Sequence, residues 1–260
     1  PSATDIAFSI GVLSLLGKRV PVSLKVFLMA LAIIDDLGAI IIIAFFYSTE
    51  LQYMYLFLML ISFLSLLALN KMGIRKFLPY IFIGILLWYF TYSSGIHSTI
   101  SGVILALCIP HKNSEKDFSL LLKLEHTLSP YVAFGIMPLF ALSNAGVDLG
   151  KDVIDILMSQ VSIGIFLGLV VGKPLGVVMF SWLAIKSGLA NMPEHTTWRH
   201  ILGAAWLGGI GFTMSIFITG LAFESTEVLI AQAKTSILVA SLIAGLAGYL
   251  TLRSGPSSTE

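Results

Sequence analysis

Residues 24–47 read LKVFLMALAIIDDLGAIIIIAFFY. The run is long and apolar enough to cross a bilayer as a helix, yet two adjacent carboxylates, Asp35 and Asp36, stand near its middle. At the centre of a spanning helix one aspartate costs about 2.5–3.5 kcal/mol, so two cost roughly twice that before any pairing. Packing requires neither. A helix that keeps both is most simply explained by cation or proton chemistry at that depth, and the rest of the chain must supply the partners.

Composition agrees with a membrane setting. The 260 residues are 57% hydrophobic and 11% charged, with mean hydropathy +0.96; soluble domains carry about 25% charged residues. The apolar residues fall in repeated runs of roughly 20, the length of spanning helices rather than barrel strands. The lone cysteine, Cys108, excludes an internal disulfide framework and a cysteine-clustered metal site. The chain opens PSATDIAF, without a starting Met, basic leader or cleavage pattern, and that opening reads as the interior of a longer protein.

Hydrophobic runs between breakers predict an all-α polytopic membrane protein with about nine segments. They cover Thr4–Leu16 (too short to span), Leu24–Tyr47, Gln52–Asn70, Leu78–Tyr92 and Gly95–Pro110. Residues 111–129 form a polar, partly amphipathic connection. Tyr131–Gly146, Val161–Lys186, Ile201–Ala222 and Val228–Leu250 complete the set. Loops rich in lysine and arginine alternate with loops nearly free of them, whose only basic residue is Lys151. By the positive-inside rule the basic loops and the C-terminus face the cytoplasm. Residue 1 then starts partway through the membrane, which implies upstream helices.

Three places break the apolar pattern: Thr4-Asp5, Asp35-Asp36 and Lys173. Lys173 lies at the centre of its segment, too deep to snorkel, and Pro174 after it should kink the helix. It calls for a carboxylate partner, with Asp35 or Asp5 as candidates. The two neighbouring aspartates project about 100° apart around their helix, which suggests divided labour: one binds a cation, the other pairs with Lys173. The run LGGIGFTMS (Leu207–Ser215) places Gly208, Gly209 and Gly211 within four positions, a weak signal alone. Together with the short, polar-headed PSATDIAF it fits a pair of interrupted helices in corresponding places of two inverted repeats, the arrangement of secondary transporters. Asp5 and Lys173 are suited to balancing the facing half-helix ends.

TDIAF, FLMALAIIDDLGAIIIIAFFY, SGIHSTISGV, LEHTLSPYV, PLFALSNAGV, GLVVGKPLG and GIGFTMSIFI together resemble the bacterial Na⁺/H⁺ antiporter family NhaA, in the family's order and over essentially the whole chain. Interrupted helices in inverted repeats are themselves a feature of this family, so that agreement is not independent of the resemblance. The resemblance implies one antiporter transmembrane domain over 1–260, with about nine of the family's roughly twelve helices; the first three and part of the fourth have no counterpart here. It implies that Asp36 is the main Na⁺ or Li⁺ ligand and proton carrier. Asp35 is then a cation-site group or the partner of Lys173, Thr4 a cation contact, and Asp5 a compensating charge near the crossing helix ends. Glu125 and His126, in LEHT, correspond to the family's pH-responsive region. A homodimer of the full-length protein in the bacterial inner membrane, with Na⁺, Li⁺ and H⁺ as cargo, is also implied.

The expected activity is alternating access, with a proton and Na⁺ competing for Asp36. It is electrogenic, driven by the proton gradient and pH-regulated, with no enzymatic step, cofactor or nucleic-acid partner. Hard oxygen ligands suit Na⁺ and Li⁺. Two alternatives exist. A Na⁺-coupled organic-anion transporter would need a cationic cluster that the site region lacks. An intramembrane aspartyl protease would need two carboxylates facing across a cleft, which neighbours on one helix cannot do.

Overall fold

Val22–Phe46 forms one uninterrupted helix, α2, because its apolar run contains no proline and a single glycine. The protein is described from a computed structural model, which covers residues 3–46, 51–110, 119–144, 146, 153–223 and 226–255. The acidic loop that contains Lys151, and residues 111–118 of the polar connection, lie outside the described residues. Before α2 stands α1 (Ile6–Leu15), and after it α3 (Tyr53–Lys71), α4 (Phe77–Ser93) and α5 (Thr99–Cys108). Then come α6 (Leu120–Tyr131), α7 (Met137–Asn144), α8 (Val153–Leu157), α9 (Gln160–Leu167) and α10 (Lys173–Lys186). The last three are α11 (Trp198–Gly208), α12 (Phe212–Ala222) and α13 (Glu227–Arg253). The described residues are all helix and connection.

Among the described residues four helical stretches are long and apolar enough to cross a membrane: Val22–Ile43, Tyr53–Lys71, Gln160–Lys186 and Glu227–Arg253. The pair α11 and α12, bent by 44°, makes a fifth if counted as one broken span. The expected nine segments are therefore not all full spans. The segment expected over Gly95–Pro110 loses its first turn because Gly95 adopts φ +86°, leaving a ten-residue helix. The segment expected to start at Tyr131 instead begins at Leu120: Pro130 sits inside the helix, and a π-turn over Val132–Ile136 carries it into α7. Pro174 does not break its helix either. The backbone widens to a π-turn over Gly168–Gly172, in which the Lys173 N–H donates to the Gly168 carbonyl five residues back. This absorbs the donor that proline lacks.

The chain divides into two compact units, one of residues 1–37 and 139–260, the other of residues 38–138. In the first, Leu13, Leu24, Leu28, Ile201, Leu207 and Leu252 form a buried cluster among α1, α2, α11 and α13. A second cluster joins Leu169, Ile216 and Ile237. Close helix approach depends on small residues. A Cβ on Gly203 would run into Leu252, and one on Gly248 would lie 2.6 Å from Leu207 Cδ2. In the second unit Leu66, Tyr80, Leu87 and Cys108 make the core, and Asn70 donates from Nδ2 to the Cys108 carbonyl at 2.7 Å.

Candidate cation site

The α11–α12 span is interrupted at Gly209–Gly211, and a break at this depth exposes backbone groups that water cannot satisfy. The opening residues of the chain satisfy most of them. The Asp5 N–H donates to the Ile210 carbonyl at 2.6 Å. Thr4 Oγ1 donates to the Gly208 carbonyl at 2.8 Å, and Ser9 Oγ to the Leu207 carbonyl at 2.8 Å. On the α12 side, the N–H groups of Gly211 and Phe212 each donate to Ser241 Oγ at 3.1 Å. Thr213 donates to Asp5 Oδ2 through its N–H at 3.0 Å and also through its hydroxyl. The other oxygen of Asp5 caps α1 by accepting from the Phe8 N–H at 3.0 Å. The fully buried Asp5 carboxylate is thus shared by the N-termini of two helices, where the helix dipoles favour a negative charge.

The glycines at the break serve close approach rather than flexibility, since neither Gly209 nor Gly211 has positive φ. A Cβ on Gly209 would collide with the Leu169 carbonyl oxygen; one on Gly211 would collide with Ser215 and lie 3.1 Å from the Ala3 carbonyl. Gly208 is less constrained, its nearest neighbour being Leu31 Cδ2 at 3.4 Å.

Beside the break lies the ion pair. Lys173 Nζ stands 2.7 Å from Asp35 Oδ2 and 2.5 Å from Thr4 Oγ1. The Thr4 N–H also donates to Asp35 Oδ2 at 2.7 Å. Thr4 Oγ1 accepts from Lys173, and its single proton can serve either Gly208 or Asp35. Thr4 thus links Lys173 to the end of α11. Its side chain is 14% exposed and that of Asp35 is 30% exposed, so the pair is shielded without being sealed.

Asp36 is the exception. Its Oδ1 is buried and accepts no hydrogen bond among the described residues. It lies within electrostatic reach of Asp35, Lys173 and Asp5. Of the three carboxylates, Asp5 is balanced by two helix N-termini and Asp35 by an ammonium. Among the described residues Asp36 has no ion-pair partner of its own, so a proton or a small monovalent cation is what would neutralise it. Among the described residues no three His, Cys, Asp or Glu side chains converge as a metal site, so any cation here would be held by mixed carboxylate, hydroxyl and carbonyl oxygens.

Thr4, Asp5, Asp35, Lys173, Gly208, Gly209 and Gly211 thus gather at one place, with Asp36 next to it. Glu125 and His126 are exposed on α6, in the other unit. Four contributors escape sequence reasoning: Ser9, Thr213, Ser215 and Ser241. Hydroxyls in membrane helices commonly bond back to their own helix, as Ser62, Thr91, Thr219 and Thr235 do here. The only available signal was the position of Thr213 and Ser215 within four residues after Gly211.

Comparison with known proteins matches residues 1–252 to the family described as Na⁺/H⁺ antiporter 1. A Na⁺/H⁺ antiporter NhaA from Pelagibacter ubique is 58% identical over 252 residues, covering 97% of this chain and 65% of the relative. NhaA 2 from Pseudomonas syringae pv. syringae is 50% identical, over 97% of the chain and 65% of the relative. NhaA from Nitrobacter hamburgensis is 51% identical, over 97% and 62%. The chain spans slightly under two thirds of the length of these relatives.

Proposed function

We propose, for a chain that belongs to the Na⁺/H⁺ antiporter 1 family, that the cluster at the helix break is the site of exchange of cytoplasmic Na⁺ or Li⁺ for external protons. The observation that carries this reading is the buried, unpartnered Asp36 oxygen beside a compensated Asp5 and a paired Asp35. Asp36 holds either a proton or the cation. Arrival of the cation also draws on Asp35 and Thr4, which loosens the Asp35–Lys173 pair; loss of the cation restores it. When the site is open to the cytoplasm it loads Na⁺ and releases protons, and when open to the outside protons displace the ion. Exchange of more than one proton per Na⁺ makes the cycle electrogenic, a property taken from the family resemblance.

The same resemblance supports an inverted-repeat architecture, with α9–α13 as one repeat and α1–α2 within the other. It also supports a homodimer of the full-length protein in the bacterial inner membrane and pH regulation through the region of Glu125 and His126, while the alternation of basic loops supports a cytoplasmic C-terminus. An organic-anion substrate is disfavoured because Lys173, the cation at the site, is already engaged by Asp35 and Thr4. An aspartyl dyad is disfavoured because Asp5 is held by Thr213 and the α1 N-terminus. The test is flux. In everted vesicles that contain the full-length protein and a luminal pH dye, Na⁺ or Li⁺ added between pH 7 and 9 should make the lumen more alkaline. No response to either ion at any of these pH values would sink the proposal.

A further inference from the structure

We propose that Pro174 and Gly209 are positioning residues for Lys173: together they hold the π-turn over Gly168–Gly172, and that turn aims the ammonium at Asp35 and Thr4. A π-turn takes up one residue more than an α-turn. In a regular α-helix everything beyond Gly172 would therefore be displaced by one residue, about 100° around the axis and ~1.5 Å along it. Lys173 is the first residue beyond the turn, so the full displacement falls on it. Its Cα would move by roughly 3–4 Å on a cylinder of radius about 2.3 Å, and its Cβ would face a different neighbour. The ammonium could then keep its places 2.7 Å from Asp35 Oδ2 and 2.5 Å from Thr4 Oγ1 only by reaching back across its own helix.

Pro174 drives the turn. In the α register its ring would press on the Val170 carbonyl, four residues back, and it has no N–H to offer that oxygen. Widening to a π-turn relieves the clash. With alanine at this position both objections vanish, and the regular α register becomes available to the segment.

Gly209 fixes the turn from outside. Because the Lys173 N–H serves Gly168, the Leu169 carbonyl loses its α-helical donor, and the next residue that could supply one is Pro174. Leu169 is fully buried, and its carbonyl oxygen lies where a Cβ on Gly209 would have to go, at the break between α11 and α12. A carbonyl set against a glycine Cα in this way gains a weak C–H···O contact that a side chain would forbid. The same spot is walled by the Trp206 carbonyl and by Ala244 Cβ, 3.0 and 3.1 Å from the position of that absent Cβ. Returning the turn to the α register would rotate the Leu169 carbonyl out of this slot. The broken helix thus sets the aim of Lys173 through the main chain, separately from the Thr4 hydroxyl that joins the same two elements.

Rotational-echo NMR of the full-length protein in lipid, isotopically labelled at lysine Nζ and aspartate Cγ, reads the ion pair directly. The spectrum of Lys173→Ala identifies and subtracts every other lysine–aspartate contact. Pro174→Ala adds no bulk, and it should weaken the Lys173–Asp35 contact by roughly twofold or more as the α register becomes populated. Gly209→Ala, which drives the Leu169 carbonyl from its slot, should weaken it as well. The pH profile of Na⁺-driven exchange is a second readout; it rests on the transport reading, whereas the NMR contact does not. Pro174→Ala should shift the profile in the same direction as Lys173→Ala, and the double variant should match Lys173→Ala alone, because both changes act at one group. A contact of wild-type strength in Pro174→Ala would overturn the proposal. So would a profile shift from Pro174→Ala that persists in full when Lys173 is already alanine. Loss of the contact in Pro174→Ala from a wild type that exchanges no Na⁺ would support the positioning role and sink the transport reading alone.

Discussion

Lys173 holds Asp35 in an environment that otherwise penalises charge, and the two cannot be removed separately without consequence. Lys173→Ala leaves Asp35, among the described residues, with the Thr4 donors alone. Breaking a buried pair costs about 3–5 kcal/mol, and the partial exposure of Asp35 moves the expectation to the low side of that range. The variant should melt well below the wild type in detergent and show an altered pH dependence of exchange, with exchange itself retained because Asp36 is intact. Double replacement by Met at positions 35 and 173 should recover much of the lost stability; thermal unfolding of the set checks both statements. A separate residue-scale prediction concerns His97, in the turn between α4 and α5, where burial holds its pKa below the usual histidine value. The neutral form is therefore favoured by folding, and stability is lost as pH falls below about 6.5 towards the folded-state pKa. The melting temperature between pH 5 and 7.5 should fall more steeply on acidification in the wild type than in His97→Gln.

The broken helix shows which parts of the site were readable and which were not. Asp5, Asp35, Asp36 and Lys173 stand out in the sequence because charges in apolar runs are costly and therefore rare. The glycine cluster pointed to a break at the right place but did not tell flexibility from close approach; Gly209 and Gly211 are needed for the space their missing Cβ atoms leave. That distinction depends on Leu169, Ser215 and Ala3, which are distant in sequence or turned by the break itself. Gly208→Ala should consequently be near neutral, while Gly209→Ala and Gly211→Ala should destabilise the protein by at least about 1–3 kcal/mol through overpacking. Ser241 was invisible for another reason: it caps α12 from a different helix. Ser241→Ala should cost about 1–2 kcal/mol, the scale of a lost N-cap, and should increase hydrogen exchange at the amides of Gly211 and Phe212.

At the scale of the molecule, run length and composition made an all-helical membrane protein legible, while among the described residues four or five of the roughly nine expected segments are long and apolar enough to be full spans. Gly95 shortens one segment and Pro130 lies inside another, because proline and glycine mark helix ends only when the backbone cannot adapt. What composition did convey is the contrast between a lipid-facing exterior and a small set of charges collected at one break. The central claim is that Asp36 is the group at which a proton and a cation exchange. Its most direct test is proton release, followed with a soluble pH dye, when Na⁺ is added to the purified protein in weakly buffered detergent at mildly alkaline pH. The wild type should release protons on Na⁺ or Li⁺ addition and not on addition of a bulky organic cation, Lys173→Ala should still release them, and Asp36→Asn should release none. Undiminished release from a folded Asp36→Asn protein would contradict the claim.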